Sequence, residues 1–556
     1  MRWRPVDSSP RMSCRAERRR SNLIEGKATV EKHPRAFEPA VLILNIILSV
    51  LGSIIGLQIL TTLGVTPNTA IIGVLVALAL SRIPGGWMAK YRSIHRQNLV
   101  QSTISGATFG AANSLLLPIG IPYLFGRPDL VVPMLIGATM GMFIDWAMLY
   151  WFFDSRIFPG QAAWPPGVAA AEAIYAGDEG GKRAWLLVWG TIIGIIGSYF
   201  KVSMSAFGVA FIGNVWALTM FGLGLLLRGY SVKLFGFDID KLYIPHGMMI
   251  GAGLVAGIQI LLILLKGRKE TTASGDAPAA ANYTRSEKQV AKGLARGFGL
   301  YIVAALVLAM LGGLYTSMPA WQLLFWAVFA AVSCILAEFI VGLSAMHAGW
   351  FPAFATALIF LVIGMALGFP APALALLVGF VASGGPAFAD AGYDFKAGWI
   401  LRGEGRDRGF ELDGRWQQFL AGASGLVVAW AMVTLTHGIY FRQGLFPPVD
   451  KVYAATIKAG VDAAIIKNLV LWAIPGALIQ ALGGSEKQLG IMLATGLLIL
   501  NPLAGYAVLA GILIRTLVLK FKGREAETPM TILAAGFIAG DALYGFFNSV
   551  YKARWR

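Results

Sequence analysis

Seven ionisable side chains fall within stretches apolar enough to cross a lipid bilayer: Asp145, Glu172, Glu338, Asp390, Asp394, Lys396 and Asp541. A charge carried into hydrocarbon costs ~2.5–3.5 kcal/mol on insertion scales, so such residues face cavities or one another and mark candidate sites. Asp390 and Asp394 are four apart, and a helix there puts both carboxylates on one face. Lys396 is placed to neutralise one of them and leave the other free to take up a proton. A carboxylate held away from water changes charge state near neutral pH, which is what proton-driven chemistry needs. Glu172, Asp394, Lys396 and Glu338 are therefore the candidate proton-handling groups. For Asp145 and Asp541 a structural ion pair or an interfacial position is the better reading.

Glu172 stands just beyond the most informative stretch of the chain, Phe158-Pro-Gly-Gln-Ala-Ala-Trp-Pro-Pro-Gly167. Pro159-Gly160 and Pro165-Pro166-Gly167 break the helical hydrogen-bond ladder. Unpaired amides are not tolerated against lipid, so this backbone must be packed in protein or line a wet cavity. From Val168 on, small residues read as a short helix, and its N-terminus offers orphan N–H donors and a partial positive charge at the break. A second interruption is expected at Gly384-Gly385-Pro386, just before Asp390. One interrupted segment in each half is the pattern of a binding site between related halves of a carrier. The span 98–113 is rich in polar residues, and spacing of three and four puts Gln101, Ser105 and Thr108 on one stripe. Interhelical hydrogen bonding and site lining are equal readings of that stripe. Tyr and Trp near the breaks serve by default as an interfacial belt, with stacking on an organic substrate as the functional reading. The candidate substrate-binding residues are Gln101, Trp164, Pro165, Pro166, Gly167, Glu172, Asp390 and Tyr393.

The elements that must position these groups follow from composition. Of 556 residues, 57% are hydrophobic, too many for a chain that stays in water. The expected fold is an all-α polytopic membrane protein with two related halves and broken or re-entrant helices. At ~20 residues per crossing, roughly fourteen to sixteen transmembrane helices are expected. A basic tail (1–36), an N-terminal membrane half (37–265), a polar linker (266–290) and a C-terminal membrane half (291–552) divide the chain. The tail holds ten Lys/Arg against four Asp/Glu, which puts the N-terminus in the cytoplasm of a cell-membrane protein. No cleavable signal peptide is expected, because the first apolar run starts near residue 37 and is too long. Crossings are expected, among others, at 68–89, 131–153, 207–227 and 417–438, with 402–415 a charged loop. The net charge of +17 sits in the tail and short loops, so nucleic acid is not an expected partner. Two cysteines and five histidines without ligand spacing give no metal site or cofactor, and no phosphate-binding loop is present.

Four motifs, in order along residues 36–552, resemble the oligopeptide transporter family, which includes the yellow-stripe-like carriers of metal chelates. Residues 158–172 are similar to the family's FPxGxAxAE-type segment, and Asn98-Leu-Val-Gln-Ser-Thr-Ile-Ser-Gly-Ala to its polar early span. Asp390-Ala-Gly-Tyr-Asp394-Phe-Lys396-Ala-Gly398-Trp399 is similar to the GD-x-x-QDLKTGY segment, and Gly536-Phe-Ile-Ala-Gly540-Asp541 to the C-terminal GxxxGE pattern. Tyr393 stands for the usual Gln, Ala397 for Thr, Asp541 for Glu, and His95-Arg96 where an acid commonly precedes the Asn. The resemblance implies a proton-coupled secondary transporter of small peptides or metal–chelate complexes, with metal as cargo. Its partners would be the carried molecule, protons and membrane lipid, and a homodimer is admitted. By position, Trp164 to Gly167, Glu172 and Asp390 to Lys396 would line the pathway. The competing class is an intramembrane prenyltransferase-like enzyme acting on a lipid diphosphate. That chemistry wants two acidic clusters for Mg²⁺, whereas the sequence offers one Asp-x-x-x-Asp pair.

Overall fold

Backbone without access to water must satisfy itself, and helices do so within one segment. The computed structural model describes residues 32–63, 74, 92–179, 181–270, 283–349, 352–460 and 463–554, and helices dominate them. Nine helices among these residues are long and apolar enough to cross a membrane, and four shorter apolar helices accompany them. The protein is a polytopic membrane protein. The crossing expected at 68–89 lies outside the described residues. Large apolar side chains such as Leu435 (75% exposed) and Leu482 (84%) stand on the outer surface, where lipid is the solvent.

Eight helices build the candidate site: α1 (Pro39–Leu63), α2 (Ile94–Phe109), α3 (Val131–Phe152), α4 (Pro165–Glu179), α5 (Glu287–Leu311), α6 (Ala320–Ala348), α7 (Ala371–Leu401) and α8 (Arg408–Arg442). A seven-residue π-helical stretch, Gly110–Leu116, continues α2. Helices from before and after the central linker pair with one another: α2 with α8, α3 with α7, and Gly181–Tyr199 with Glu527–Arg554. Glycines permit these crossings. A Cβ on Gly425 of α8 would lie 2.1 Å from the Thr103 carbonyl of α2. A Cβ on Gly536 would lie 2.7 Å from the Cα of Gly190, so the C-terminal glycine motif is a packing face.

Three expectations are corrected. The first concerns Gly384-Gly385-Pro386: no break occurs there, and α7 runs on through Pro386. The two glycines instead make room, since a Cβ on Gly384 would sit 1.9 Å from the Asp145 carboxylate and one on Gly385 3.1 Å from Val341. The second concerns 207–227, which is two helices, Met204–Ile212 and Val215–Phe235. Asn214 caps the second through Trp216 N and Ala217 N, and Arg515 takes the Gly213 carbonyl at 2.7 Å. The third concerns 402–415, which is a loop only as far as Asp407. That residue caps α8 by accepting from Phe410 N at 3.0 Å, and Glu411 and Arg415, read as loop charges, are buried.

Candidate functional site

The chain between α3 and α4 is non-helical, and it is packed in protein as the bilayer requires. Phe153, Asp154, Ser155, Phe158 and Trp164 are all buried. Its polar backbone is answered group by group. Asp154 N donates to Phe158 O at 2.9 Å, and Arg415 of α8 donates to Phe153 O at 2.8 Å. Arg285 N, at the foot of α5, donates to Asp154 O at 3.1 Å. The Asp154 carboxylate takes Gly160 N at 3.2 Å on one oxygen and the Thr284 hydroxyl at 2.7 Å on the other. Trp164 N donates to Met346 O of α6 at 2.9 Å, with Trp164 in the left-handed region at φ 38°.

α4 then starts at Pro165, whose preset φ suits a first helical position. Its end is less open than the sequence implies. Pro165 and Pro166 have no N–H, while Gly167 N and Val168 N both donate to Trp164 O, at 2.9 and 3.2 Å. The first-turn donors expected for an anion are thus absent or used, and the aligned helix dipole is what remains.

The broken segment and α7 meet in the interior. Gly167 packs on the Tyr393 carbonyl, where a Cβ would approach to 2.4 Å, and the Trp164 ring lies flush on Gly392. Trp164 and Tyr393 contact edge to face, ring centroids 6.1 Å apart. Lys396 Nζ donates to Gly160 O at 2.7 Å and lies 4.6 Å from the centre of the Trp399 ring. This corrects the expectation that Lys396 neutralises an aspartate. Two residues along a helix is a turn of about 200°, so Lys396 projects away from Asp394, toward the broken segment.

The aspartates face α2 instead. Ser105 Oγ donates to Asp390 Oδ1 at 2.6 Å, and Gln101 Nε2 donates to Asp394 Oδ1. Gln101 also accepts from Asn98 at 3.1 Å. The second oxygen of each aspartate is buried without a hydrogen-bond partner among the described residues. Thr108 does not join them: it bonds its own helix at Ile104 O, and a Cβ on Gly52 of α1 would lie 2.7 Å from its hydroxyl. The polar stripe therefore divides, Gln101 and Ser105 to the acids and Thr108 to interhelical contact.

Beneath the aspartates lies a charged network that sequence reading missed. Gln418 of α8 donates to Ser102 Oγ at 2.9 Å and to Asp394 O, and accepts from Arg402 at 3.0 Å. Arg402 and Arg415 both hold Glu411, at 2.7 and 2.8 Å, with all three side chains fully buried. The i,i+4 spacing of Glu411 and Arg415 was the available signal.

Glu338 belongs to a different cluster. With Asp145 it flanks the Tyr301 hydroxyl, which is within hydrogen-bond reach of Asp145 Oδ1 and Glu338 Oε1. Through Gly384 this trio touches α7 six residues before Asp390, about 9 Å along the axis. Tyr301 carried no sequence signal. Glu172 is buried on α4. Asp541 is held by hydrogen bonds from the Ser198 hydroxyl and Ser205 N rather than by an ion pair. Among the described residues no group of three or more His, Cys, Asp or Glu is arranged to hold a metal ion.

The chain's matches to known proteins agree with this architecture. No curated protein matches the chain. The family model described as OPT oligopeptide transporter protein matches residues 39–238 and 202–552, which takes in every segment of the site. A polytopic helical protein matched over nearly its whole length in this way belongs to the OPT oligopeptide transporter family.

Proposed function

We propose that this protein is a proton-coupled secondary transporter of oligopeptides or metal–chelate complexes of siderophore type. The observation that carries the reading is the buried contact between the broken segment and α7, where Trp164 and Gly167 seat against Gly392, Tyr393 and Lys396. Broken backbone beside intramembrane carboxylates suits a site that binds a polar cargo and releases it again. Gln101, Trp164, Pro165, Pro166, Gly167, Glu172, Asp390 and Tyr393 are assigned to the substrate, and Glu172, Asp394, Lys396 and Glu338 to the proton. Asp145 and Tyr301 join Glu338 in that role, because one hydroxyl hydrogen serves two carboxylates and a proton on either acid completes the trio. The protein is placed in the cell membrane with its N-terminus cytoplasmic.

Proteoliposomes offered a peptide library and iron–siderophore complexes, with and without an inward proton gradient, test this. Accumulation is expected only with the gradient. Equal uptake without it removes the coupling. Turnover of a lipid diphosphate with no accumulation would establish the intramembrane-enzyme reading, which the family match does not support.

A further inference from the structure

At the end of α3 and the foot of α5 lies a cavity of about 210 Å³ lined by Trp151, Arg285, Gln289, Lys292, Gly293 and Arg296. That is many times the ~10–15 Å³ one water needs. Gln289, Lys292, Gly293 and Arg296 follow at helical spacing, so one stripe of α5 forms a wall. Gly293 leaves room for Trp151, whose Cβ would be 2.9 Å from a Cβ placed there. Arg285 closes the far side, its guanidinium 5.1 Å from the centre of the Tyr150 ring, with a buried Nε that has no hydrogen-bond partner among the described residues.

The wall thus carries three cations and no acid. None of the three forms an ion pair among the described residues, and the nearby Glu287 is engaged by Arg156 at 3.3 Å. Such a set of cations is unbalanced as it stands. Its place along α5 is equally telling: exposed Lys292 and Arg296 directly precede exposed Leu300 and Val303, which marks the boundary between water and hydrocarbon. We infer that this cavity binds a phosphate group, with Arg285, Lys292 and Arg296 as donors and Trp151 packed beside it, at the level of the lipid headgroups. Arginine gives the planar fork that matches phosphate oxygens, and lysine adds a point charge. The inference does not depend on what the protein carries.

The experiment uses the purified full-length protein in phosphatidylcholine nanodiscs, with phosphatidylglycerol or inorganic phosphate added and binding read by native mass spectrometry. The variant is Lys292→Gln/Arg296→Gln, which alters exposed side chains and leaves α5 intact. The control is Lys520→Gln/Lys522→Gln, which removes the same charge from the exposed end of another helix. Retention of phosphatidylglycerol is expected to weaken about thirtyfold in the variant and to stay near wild type in the control. Saturable binding of inorganic phosphate, lost in the variant, with no preference for the lipid would keep the phosphate site and identify a soluble source. Equal losses in variant and control, or no loss in either, would overturn the inference. Should the double variant not fold, Arg296→Gln alone against Lys520→Gln gives the same comparison.

Discussion

Replacing Asp394 by Asn removes a charge while keeping nearly every atom. Gln101 Nε2 donates to Oδ1, and an asparagine carbonyl accepts that hydrogen bond equally well. The new amide nitrogen takes the place of Oδ2, which has no partner to lose. Fold stability should therefore stay within ~1 kcal/mol of wild type, the scale of a conserved, neutral hydrogen bond. Gln101→Leu is the complementary change. It strips a donor from a buried carboxylate and should cost ~1.5–3 kcal/mol, the worth of a hydrogen bond to a charged group. In the Asp394→Asn background the same substitution breaks only a neutral bond, worth ~0.5–1.5 kcal/mol. A double-mutant cycle on detergent-solubilised protein should thus show a coupling of about 1–1.5 kcal/mol. In proteoliposomes Asp394→Asn should lower gradient-driven uptake at least about tenfold, while exchange between equal concentrations of cargo survives. A stable Asp394→Asn protein with wild-type gradient-driven uptake would refute the assignment of this carboxylate. A cycle with no coupling would refute the reading of Asp394 as a charged acceptor for Gln101.

Three further outcomes follow from the same structure. Glu411→Gln leaves Arg402 uncompensated in a fully buried setting and Arg415 with Asp154 alone, at 3.6 Å, and should cost ~3–5 kcal/mol, read as a lower unfolding midpoint in detergent. Gly392→Ala places a Cβ 2.0 Å from the Trp164 ring and should cost ~1–3 kcal/mol by overpacking, with partial recovery in Gly392→Ala/Trp164→Phe. His33, ahead of α1, is buried against His95 and Phe410, and burial, aided by Arg402, holds its pKa down at about 3. The folded segment keeps this imidazole neutral and the detached one protonates near the ordinary 6.5. The segment's stability is therefore full above pH 6.5 and falls by roughly 1.4 kcal/mol per unit as pH drops from there toward 3. Hydrogen exchange at residues 33–38 should quicken over that window, and His33→Phe should flatten the dependence.

The parts of the site legible from sequence were those set by local chemistry. The break after α3 was legible from Pro159-Gly160, whereas the helix expected from Val168 starts three residues earlier, at Pro165, whose ring suits a first helical position. The stripe of Gln101 and Ser105 was legible as a face, but its partners were not, because Asp390 and Asp394 lie 285 and 293 residues away. Gly384-Gly385-Pro386 misled for a tertiary reason. The glycines are there for Asp145 and Val341 to approach, which nothing local encodes. The charges at 402–415 looked solvated because a linear run hides pairing. Only once α8 starts at Arg408 do Glu411 and Arg415 share a face, with Arg402 reaching them from the end of α7. Lys396 was the avoidable error, since helical geometry alone turns it away from Asp394.

α7 stands between two kinds of contact, and this constrains how a carrier could work. On one side Asp390 and Asp394 are held by α2; on the other Lys396, Gly392 and Tyr393 hold the broken segment. The acids and the broken segment thus do not touch through these residues, so in a carrier a proton on Asp394 would act on the segment by moving α7, or α2, which also packs on α4. The segment's ties to its neighbours are directional: Lys396 to Gly160 O, Trp164 N to Met346 O, Arg415 to Phe153 O, and Arg285, Thr284 and Arg415 on Asp154. Where Trp164 and Gly167 meet α7, the interface is glycine against ring or backbone, and that part separates without leaving a buried charge behind. In a carrier, a path between α4 and α7 would open by exchanging the Lys396 and Trp164 hydrogen bonds for ones to cargo or water, with Phe153 and Asp154 staying on Arg415 so that the Arg402–Glu411–Arg415 network keeps its charges paired.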